Sequence, residues 1–361
     1  MSYVLAFLGF AALIFLHEAG HFVAAKAVGM RVERFSLFFG PMPIKRTWGE
    51  TEYGIGIIPL GGYVRITGMN PNEELSPEIA PRAYYNQAVW KRVVTILAGP
   101  LVNILIAFGI AWALLFAQGQ QVVAPTKNVA AVVKGTPAAT FMKPGDQIVS
   151  IDGVSGSAAA LRNQIVSHRC AGGGADGCSA ATPATVVLRR KGRLLTFHVR
   201  PKEVSDRPEL GFDFGGRVTG TIYPSLTGAA GTAVSRLWTV TTETVSTIAR
   251  IFEPKERKQL NSVVGGYTVT QEAFASSATT ALQVLALISL SLGVINLFPF
   301  LPLDGGHVFW AVAEKVRGRR IPFRVMERAS VVGFALILLL FVIGLSNDIS
   351  TLSGPGFPKL H

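Results

Sequence analysis

Four long apolar stretches constrain the fold of this chain more than any other feature of its sequence. They run from Tyr3 to Ala25, Val93 to Phe116, Ala281 to Phe298 and Ala329 to Leu345. Each is long enough to cross about 30 Å of hydrocarbon as a helix, the last only just. With 49% hydrophobic and 16% charged residues, the chain is more apolar than a soluble domain of its length. We therefore expect a polytopic α-helical membrane protein with about four transmembrane helices and both termini on one side.

The first apolar stretch contains polar residues where lipid-facing side chains would be expected. His17, Glu18 and His21 form the pattern His-Glu-x-x-His. Positions i and i+4 of a helix share one face, so both imidazoles can bind one Zn²⁺ with the carboxylate beside them. Because an ionisable group at the bilayer centre costs about 2.5 to 3.5 kcal/mol, three together indicate a compensating metal. The alternative is that the three residues satisfy one another between helices.

Basic residues near the ends of the apolar stretches indicate their orientation. The segments from Lys26 to Arg92 and from Lys315 to Arg328 are rich in Lys and Arg, so both are predicted to be cytoplasmic. The long loop between the second and third stretches is then extracytoplasmic. It holds much of the net charge of +12, which favours anionic lipid or acidic protein over nucleic acid as a partner. No Lys or Arg precedes Lys26, so the first stretch is predicted to be a span rather than a cleaved signal peptide.

A second group of motifs lies at the end of the third stretch, between Gly293 and Gly306. Two histidines leave a tetrahedral zinc ion short of a third protein ligand, and a carboxylate is a usual choice, with water in the fourth position. Asp304 is the candidate. Pro299 and Pro302 interrupt a helix, so the chain is expected to unwind near membrane depth beside this carboxylate. The alternative is an ordinary helix end followed by a glycine turn.

Together these motifs resemble the site-2 protease family of intramembrane zinc metalloproteases, and among them the bacterial RseP-type regulators of sigma-E. His-Glu-x-x-His in the first stretch, Gly99-Pro100-Leu101-Val102-Asn103 in the second and Asn296 to Gly306 in the third follow the order of the family. The second proline of the family's third motif is displaced by one place here, to Pro302. The resemblance covers most of the chain.

The resemblance implies a zinc metalloendopeptidase with one Zn²⁺ per chain. His17, His21 and Asp304 would hold the metal, and Glu18 would act as general base and then as acid. By similarity, Asn296 would hydrogen-bond the substrate backbone or the developing oxyanion. Its alternative role is to cap the broken helix.

The resemblance also implies what is cleaved and where. The substrates would be the transmembrane segments of single-span membrane proteins, in regulated intramembrane proteolysis of a pre-trimmed anti-sigma factor during a stress response, with remnant signal peptides as further substrates. The location would be the bacterial inner membrane. The orientation inferred from the basic residues then places the termini in the periplasm and the active site near the cytoplasmic face. Two hypotheses from other classes are a catalytically silent membrane scaffold and a zinc transporter. The intact Glu18 argues against both. A scaffold does not need a base, and a transporter typically has ligands on several spans at the midplane together with internal repeats, which the sequence does not show.

A segment between the first two stretches is rich in β-forming residues. Tyr53 to Ile66 is apolar and is interrupted by Pro59, Gly61 and Gly62. This pattern predicts a hairpin that dips into the membrane boundary, with an edge open to strand addition. It resembles the family's membrane-re-entrant β-loop, so Gly61 and Gly62 are candidate substrate-binding residues. The alternative is an ordinary half-buried hairpin.

The long extracytoplasmic loop contains a segment similar to one PDZ domain, placed at 121–201. Gly135 to Ala139 and Pro144 to Gly153 carry the similarity. Peptide binding by β-augmentation and exclusion of bulky substrates are both open as its role. Cys170 and Cys178 flank a glycine-rich insert, and a disulfide and two free thiols are both open there.

Residues at helical spacing after this segment, from Ala233 to Phe252, predict an amphipathic helix that rests on the outer membrane face or packs on the soluble domain. The predicted organisation is 1–29 first transmembrane helix, 30–91 cytoplasmic segment with the β-loop, 92–118 second transmembrane helix, 121–201 PDZ domain, 202–280 extracytoplasmic connector with the amphipathic helix, 281–306 third transmembrane helix and Leu-Asp-Gly-Gly segment, 307–328 cytoplasmic basic segment, and 329–361 fourth transmembrane helix and C-terminal tail.

Overall fold

The structure, a computed structural model, describes residues 1–70, 72–133, 135–170, 177–204, 207–250 and 262–352. The chain forms two compact units, one of Met1–Gln118 with Pro224–His361 and one of Gly119–Tyr223. The α-helices are α1 Ser2–Ala27, α2 Val89–Gln118, α3 Ala158–Val166, α4 Leu226–Ala249, α5 Val263–Ser276, α6 Ala278–Asn296, α7 Asp304–Arg317 and α8 Phe323–Leu352. The strands are β1 Val32–Phe39, β2 Ile44–Trp48, β3 Thr51–Ile55, β4 Ile58–Ile66, β5 Gln120–Val132, β6 Gln147–Ile151, β7 Ala184–Arg190, β8 Arg193–Val199, β9 Lys202–Val204, β10 Arg207–Glu209 and β11 Phe212–Ile222.

Four helices of the described residues are long and apolar enough to cross a membrane, namely Ser2–Ala27, Val89–Gln118, Ala278–Asn296 and Phe323–Ile349. They coincide with the four predicted stretches. Large apolar side chains on them are exposed, as at Val23, Leu105 and Leu338. Lipid, unlike water, is a favourable environment for such side chains. The prediction of a polytopic α-helical membrane protein is therefore confirmed.

Glycines allow α2 to pack closely against both α1 and α6. A Cβ built on Gly20 of α1 would lie 2.6 Å from the carbonyl oxygen of Ala98, and one on Gly293 of α6 would lie 2.9 Å from that of Pro100. Both distances are too short for any larger residue. Small residues of this kind let helix backbones approach one another where water does not drive association. The central helix α2 is thereby held against the two helices that carry the predicted motifs.

The third span breaks after Asn296, and the chain becomes helical again at Asp304. A Cβ at Gly305 would lie 2.2 Å from the carbonyl oxygen of Leu297, so this turn accepts only glycine. The predicted unwinding is present. Asp304, in the predicted Leu-Asp-Gly-Gly segment, begins α7.

The segment between α1 and α2 folds into a four-stranded sheet of order β2-β3-β1-β4. Strand β1 pairs in parallel with β3, through Phe35 and Tyr53, and antiparallel with β4, through Phe35 and Val64. The prediction that Tyr53 to Ile66 forms one hairpin is therefore wrong, because β1 lies between its two strands. Between these two strands, Gly56 donates its N–H to the carbonyl of Leu37 in β1.

The second unit contains a five-stranded sheet of order β11-β5-β6-β7-β8. Its core is formed by apolar side chains of the sheet and of α3, such as Ile148, Leu161 and Leu188, all fully buried. Strand β11 pairs with β5 from Phe212 to Ile222, so the unit extends to Tyr223 and the predicted end at 201 is wrong. Pairing across so many residues leaves no local sequence signal. The PDZ assignment stays a prediction.

Helix α4 packs on the membrane-spanning helices of its own unit. Leu237 and Val240 pack against Ala107 of α2 and Leu290 of α6. The two predicted locations for this helix were the outer membrane face and the soluble domain. Neither includes a contact with the membrane-spanning helices. The connector begins at Pro224 rather than at 202 and also contains α5. Phe252 lies outside the described residues.

Candidate active site

The structure brings the three predicted metal ligands together although they lie at opposite ends of the sequence. The Nε2 atoms of His17 and His21 are 3.3 Å apart. They lie 3.3 and 3.2 Å, respectively, from the Oδ2 atom of Asp304. Both histidines are only 7% exposed. Three potential ligand atoms therefore lie within about 3.3 Å of one another on largely buried side chains.

The spacing of these atoms fits a zinc ion. Bonds of about 2.0 to 2.1 Å in a tetrahedral site place the ligand atoms about 3.3 to 3.4 Å from one another, close to the observed distances. Among the described residues, Asp304 Oδ2 is buried and makes no hydrogen bond of acceptable geometry. A carboxylate oxygen in that position is suited to a cation. Two imidazoles and a carboxylate are the donor set of many catalytic zinc sites, with the fourth position open.

Local structure explains how each ligand reaches the site. His17 and His21 lie one turn apart on α1, so their rings project from the same face. Asp304 occupies the first turn of α7, where the helix dipole favours a negative charge. The break between α6 and α7 is what brings this helix end to the level of the two histidines.

Helix α2 shapes the position of His21 from the other side. The ring Nδ1–H of His21 donates to the carbonyl oxygen of Thr95 at 2.9 Å, which leaves Nε2 directed at the site. A Cβ on Gly99 would lie 2.2 Å from this Nε2 atom, so glycine is required there. The sequence analysis noted Gly99 only as part of a family motif and missed the role of Thr95. The position of Gly99 in the middle of an apolar helix was the available signal.

The three ligand candidates open on a cavity of about 750 Å³. Glu18, half-buried, lies on its wall together with Gly61 and Gly62 of β4 and with Asn296 at the end of α6. A Cβ on Gly62 would lie 2.8 Å from Cγ of Glu18, so the backbone of β4 passes directly beside this carboxylate. All the residues predicted to bind metal or substrate, or to act as base, thus border one cavity.

One further histidine borders the same cavity. His307, on α7, lines it. The cluster with ligand atoms within 4.8 Å of one another contains His17, His21 and Asp304. A role of His307 in metal binding has no support from this geometry.

In the second unit, Cys170 and Cys178 form a disulfide with Cα atoms 6.4 Å apart. Of the two alternatives left open by the sequence, the structure contains the bonded form. Glu203 lies beside these sulfur atoms, but thiols joined in a disulfide are not metal ligands.

Membrane-spanning helices that enclose two histidines, an adjacent glutamate and an aspartate define a membrane-embedded zinc metalloprotease of the site-2 type. The chain belongs to peptidase family M50, whose sequence profile matches residues 5–340.

Individual relatives agree with this class. Zinc metalloprotease Rip1 of Mycobacterium tuberculosis is 31% identical over 353 residues, which are 84% of this chain and 83% of that protein. "Putative zinc metalloprotease Cj1068" of Campylobacter jejuni is 28% identical over 352 residues, 95% of this chain and 91% of the relative. A similarly named protein of Mesorhizobium japonicum is 31% identical over 361 residues, 93% of this chain and 95% of its own length. The predicted enzyme class and zinc cofactor are confirmed.

Proposed function

We propose that this protein cleaves peptide bonds within the transmembrane segments of single-span membrane proteins. The observation that carries the proposal is the cavity in which His17, His21, Asp304 and Glu18 meet an edge strand beside membrane-spanning helices. Cleavage of a soluble peptide would not require a catalytic group within a membrane span. Cleavage of a membrane helix would require one there.

The proposed roles of the residues follow from their positions. His17, His21 and Asp304 hold the zinc, which when bound supplies Lewis acidity toward the scissile carbonyl. Glu18 accepts the proton of the attacking water and delivers it to the leaving amine, so peptide hydrolysis proceeds without a covalent intermediate. Asn296 donates a hydrogen bond to the substrate backbone or to the developing oxyanion.

Strand β4 supplies a place for an unfolded substrate segment. A transmembrane helix hides its peptide groups in its own hydrogen bonds, so it must unwind before cleavage. Strand β4 is at one end of the sheet and, within the described residues, pairs on one side only, with β1. An extended substrate added to this edge would run past Gly61 and Gly62, beside the Glu18 carboxylate. We propose this edge as the substrate-binding strand.

The biological setting is proposed from the family resemblance and from charge. One basic segment follows α1, and the other includes the turn between α7 and α8. Their Lys and Arg residues support a cytoplasmic location for both segments. The active site then lies near the cytoplasmic face of a bacterial inner membrane, with the second unit in the periplasm as a PDZ domain. A pre-trimmed anti-sigma factor is the proposed substrate, and remnant signal peptides are further candidates. Peptide binding and exclusion of bulky substrates remain the two roles for the PDZ domain.

The test is cleavage of a tagged single-span substrate in liposomes by wild type, Glu18→Gln and Glu78→Gln, with zinc content measured for each. Glu78 is exposed and serves as the matched control. We expect Glu18→Gln to keep its zinc and to lose cleavage by a factor of about 100 or more, because only the base is removed. Wild-type cleavage by Glu18→Gln would refute the mechanism. If the wild-type protein binds zinc and still cleaves none of several substrates trimmed to different lengths, that result would favour the scaffold or the transporter.

A further inference from the structure

Asn103 of α2 is a fully buried polar residue next to the first histidine. Its exposure is 0%, and its side-chain Nδ2 atom lies 3.2 Å from Nδ1 of His17. Its backbone carbonyl accepts a hydrogen bond of 2.8 Å from the hydroxyl of Ser289 on α6. The backbone of Asn103 is thus tied to α6, while its side chain is directed at a ring on α1.

The position of the His17 proton decides what this contact must be. His17 Nε2 faces Asp304 and His21, so a metal in the site would take the lone pair of Nε2. A neutral imidazole that binds through Nε2 carries its proton on Nδ1 and needs a hydrogen-bond acceptor there. The amide group of Asn103 offers both a donor and an acceptor.

The side-chain oxygen of Asn103 is free to take this role, because within the described part of the chain it has no other hydrogen bond to lose. Asn103 Oδ1 is buried and has no hydrogen-bond partner among the described residues. A 180° rotation of the carboxamide exchanges Oδ1 with Nδ2, two atoms of nearly equal size. The rotation places the unpaired acceptor on the Nδ1–H of His17. The contact then has one donor and one acceptor.

We infer that Asn103 is a positioning residue of the zinc site, whose side-chain oxygen accepts the Nδ1–H of His17 and holds Nε2 toward the metal. The carbonyl of Thr95 has the equivalent role for His21. Helix α2 therefore orients both imidazoles, and the Gly99 to Asn103 motif gains a physical explanation. The inference rests on the proposed role of His17 as a zinc ligand.

A competing explanation is that Asn103 merely joins helices in the membrane. The contact with α6 uses the backbone oxygen of Asn103, which any residue at this position provides. Ser289→Ala removes that contact and leaves the side chain of Asn103 in place. The two roles can therefore be separated by mutation.

The experiment measures zinc affinity by chelator competition, and the visible spectrum of the Co²⁺-substituted protein, on the full chain in detergent. The variants are Asn103→Leu, Asn103→Asp and Ser289→Ala, with thermal melting of the zinc-free proteins as the measure of folding. Loss of a group that orients a metal-binding histidine typically costs 10- to 100-fold in affinity. We expect a loss of about this size for Asn103→Leu, with an altered Co²⁺ spectrum. Asn103→Asp keeps an acceptor and Ser289→Ala keeps the side chain, so both are expected to bind zinc nearly as wild type does.

Two results would overturn the inference. One is wild-type zinc affinity and Co²⁺ spectrum in a folded Asn103→Leu variant. The other is an equal loss for Asn103→Asp and Asn103→Leu, because an acceptor would then not be what His17 requires. A His17→Ala variant separates this failure from failure of the proposed site. If it binds zinc normally, the site itself is wrong, whereas if it loses zinc and Asn103→Leu does not, only the role of Asn103 fails.

Discussion

Replacing Gly99 by alanine is expected to remove zinc from the site and leave the fold intact. The Cβ of alanine would lie 2.2 Å from Nε2 of His21 and 2.6 Å from its Cε1 atom. Because ordinary contacts begin at 3.4 Å, the ring must move by about 1 Å. The atoms it meets are the end of a side chain rather than backbone, so α2 can remain in place while the ring turns away.

The size of the effect follows from the narrow tolerance of metal bonds. Ligand distances are held within about 0.2 Å of their ideal values, so a displacement of about 1 Å removes His21 as a ligand. Loss of a group that only orients a ligand costs up to about 100-fold. Loss of the ligand itself should cost at least that, or about 2.8 kcal/mol of binding free energy. Alanine also has a helix propensity about 1 kcal/mol better than glycine, so the zinc-free protein should unfold no more easily than wild type.

Gly109 offers a matched control on the same helix. In the described part of the chain, no heavy atom outside the immediate helix backbone lies within 4 Å of a Cβ built there, so Gly109→Ala should bind zinc as wild type does. The assay is competition with a chelator of known affinity, with thermal melting of the zinc-free variants. Wild-type zinc affinity in Gly99→Ala would show that the observed position of His21 is not its metal-binding position.

Two further predictions concern ion pairs that do not line the cavity. Hydrogen bonds from Arg82 lower the pKa of Glu50 from 4.5 to about 2, so the ion pair stabilises the fold above about pH 4.5 and this contribution is lost as the pH falls toward 2. Thermal melts of Glu50→Gln should therefore show a loss of about 1 kcal/mol at neutral pH that disappears near pH 2, and a loss of equal size at both pH values would contradict this. The buried pair of Arg92 and Glu314, joined at 2.6 Å, predicts that Arg92→Leu costs about 3 to 5 kcal/mol because it leaves a buried carboxylate unpaired. Unfolding in denaturant should show this loss of stability, and the double variant Arg92→Leu/Glu314→Leu should recover part of it. A double variant less stable than Arg92→Leu would refute the explanation.

The membrane class and the paired histidines were predictable because their signals are local. A run of about 20 apolar residues identifies a span without reference to the rest of the chain. The spacing of His17 and His21 defines a helix face within two turns. Asp304 could be predicted as a ligand because a catalytic zinc site needs a third protein ligand and the prolines before Asp304 interrupt a helix.

Strand order and the limits of the second unit were not predictable in the same way. Tyr53 to Ile66 has the composition of a hairpin, but β1 lies between its strands because Phe35 and its neighbours pair with both. Likewise, β11 completes the sheet of the second unit by pairing with β5. Strand partners distant in sequence are chosen by packing in the whole fold, and local composition does not contain that information.

The sequence by itself determined that this protein spans a membrane and that two histidines and a glutamate, the proposed zinc ligands and base, share one helix, because hydrophobicity and helical period act over short distances. Only the tertiary structure decided how those histidines are oriented. The contacts that hold them, from Thr95 to His21 and from Asn103 to His17, join residues 74 and 86 positions apart. Which residues of α2 meet α1 depends on how the two helices pack, and that register is set by close backbone contacts at residues such as Gly20 rather than by either helix alone.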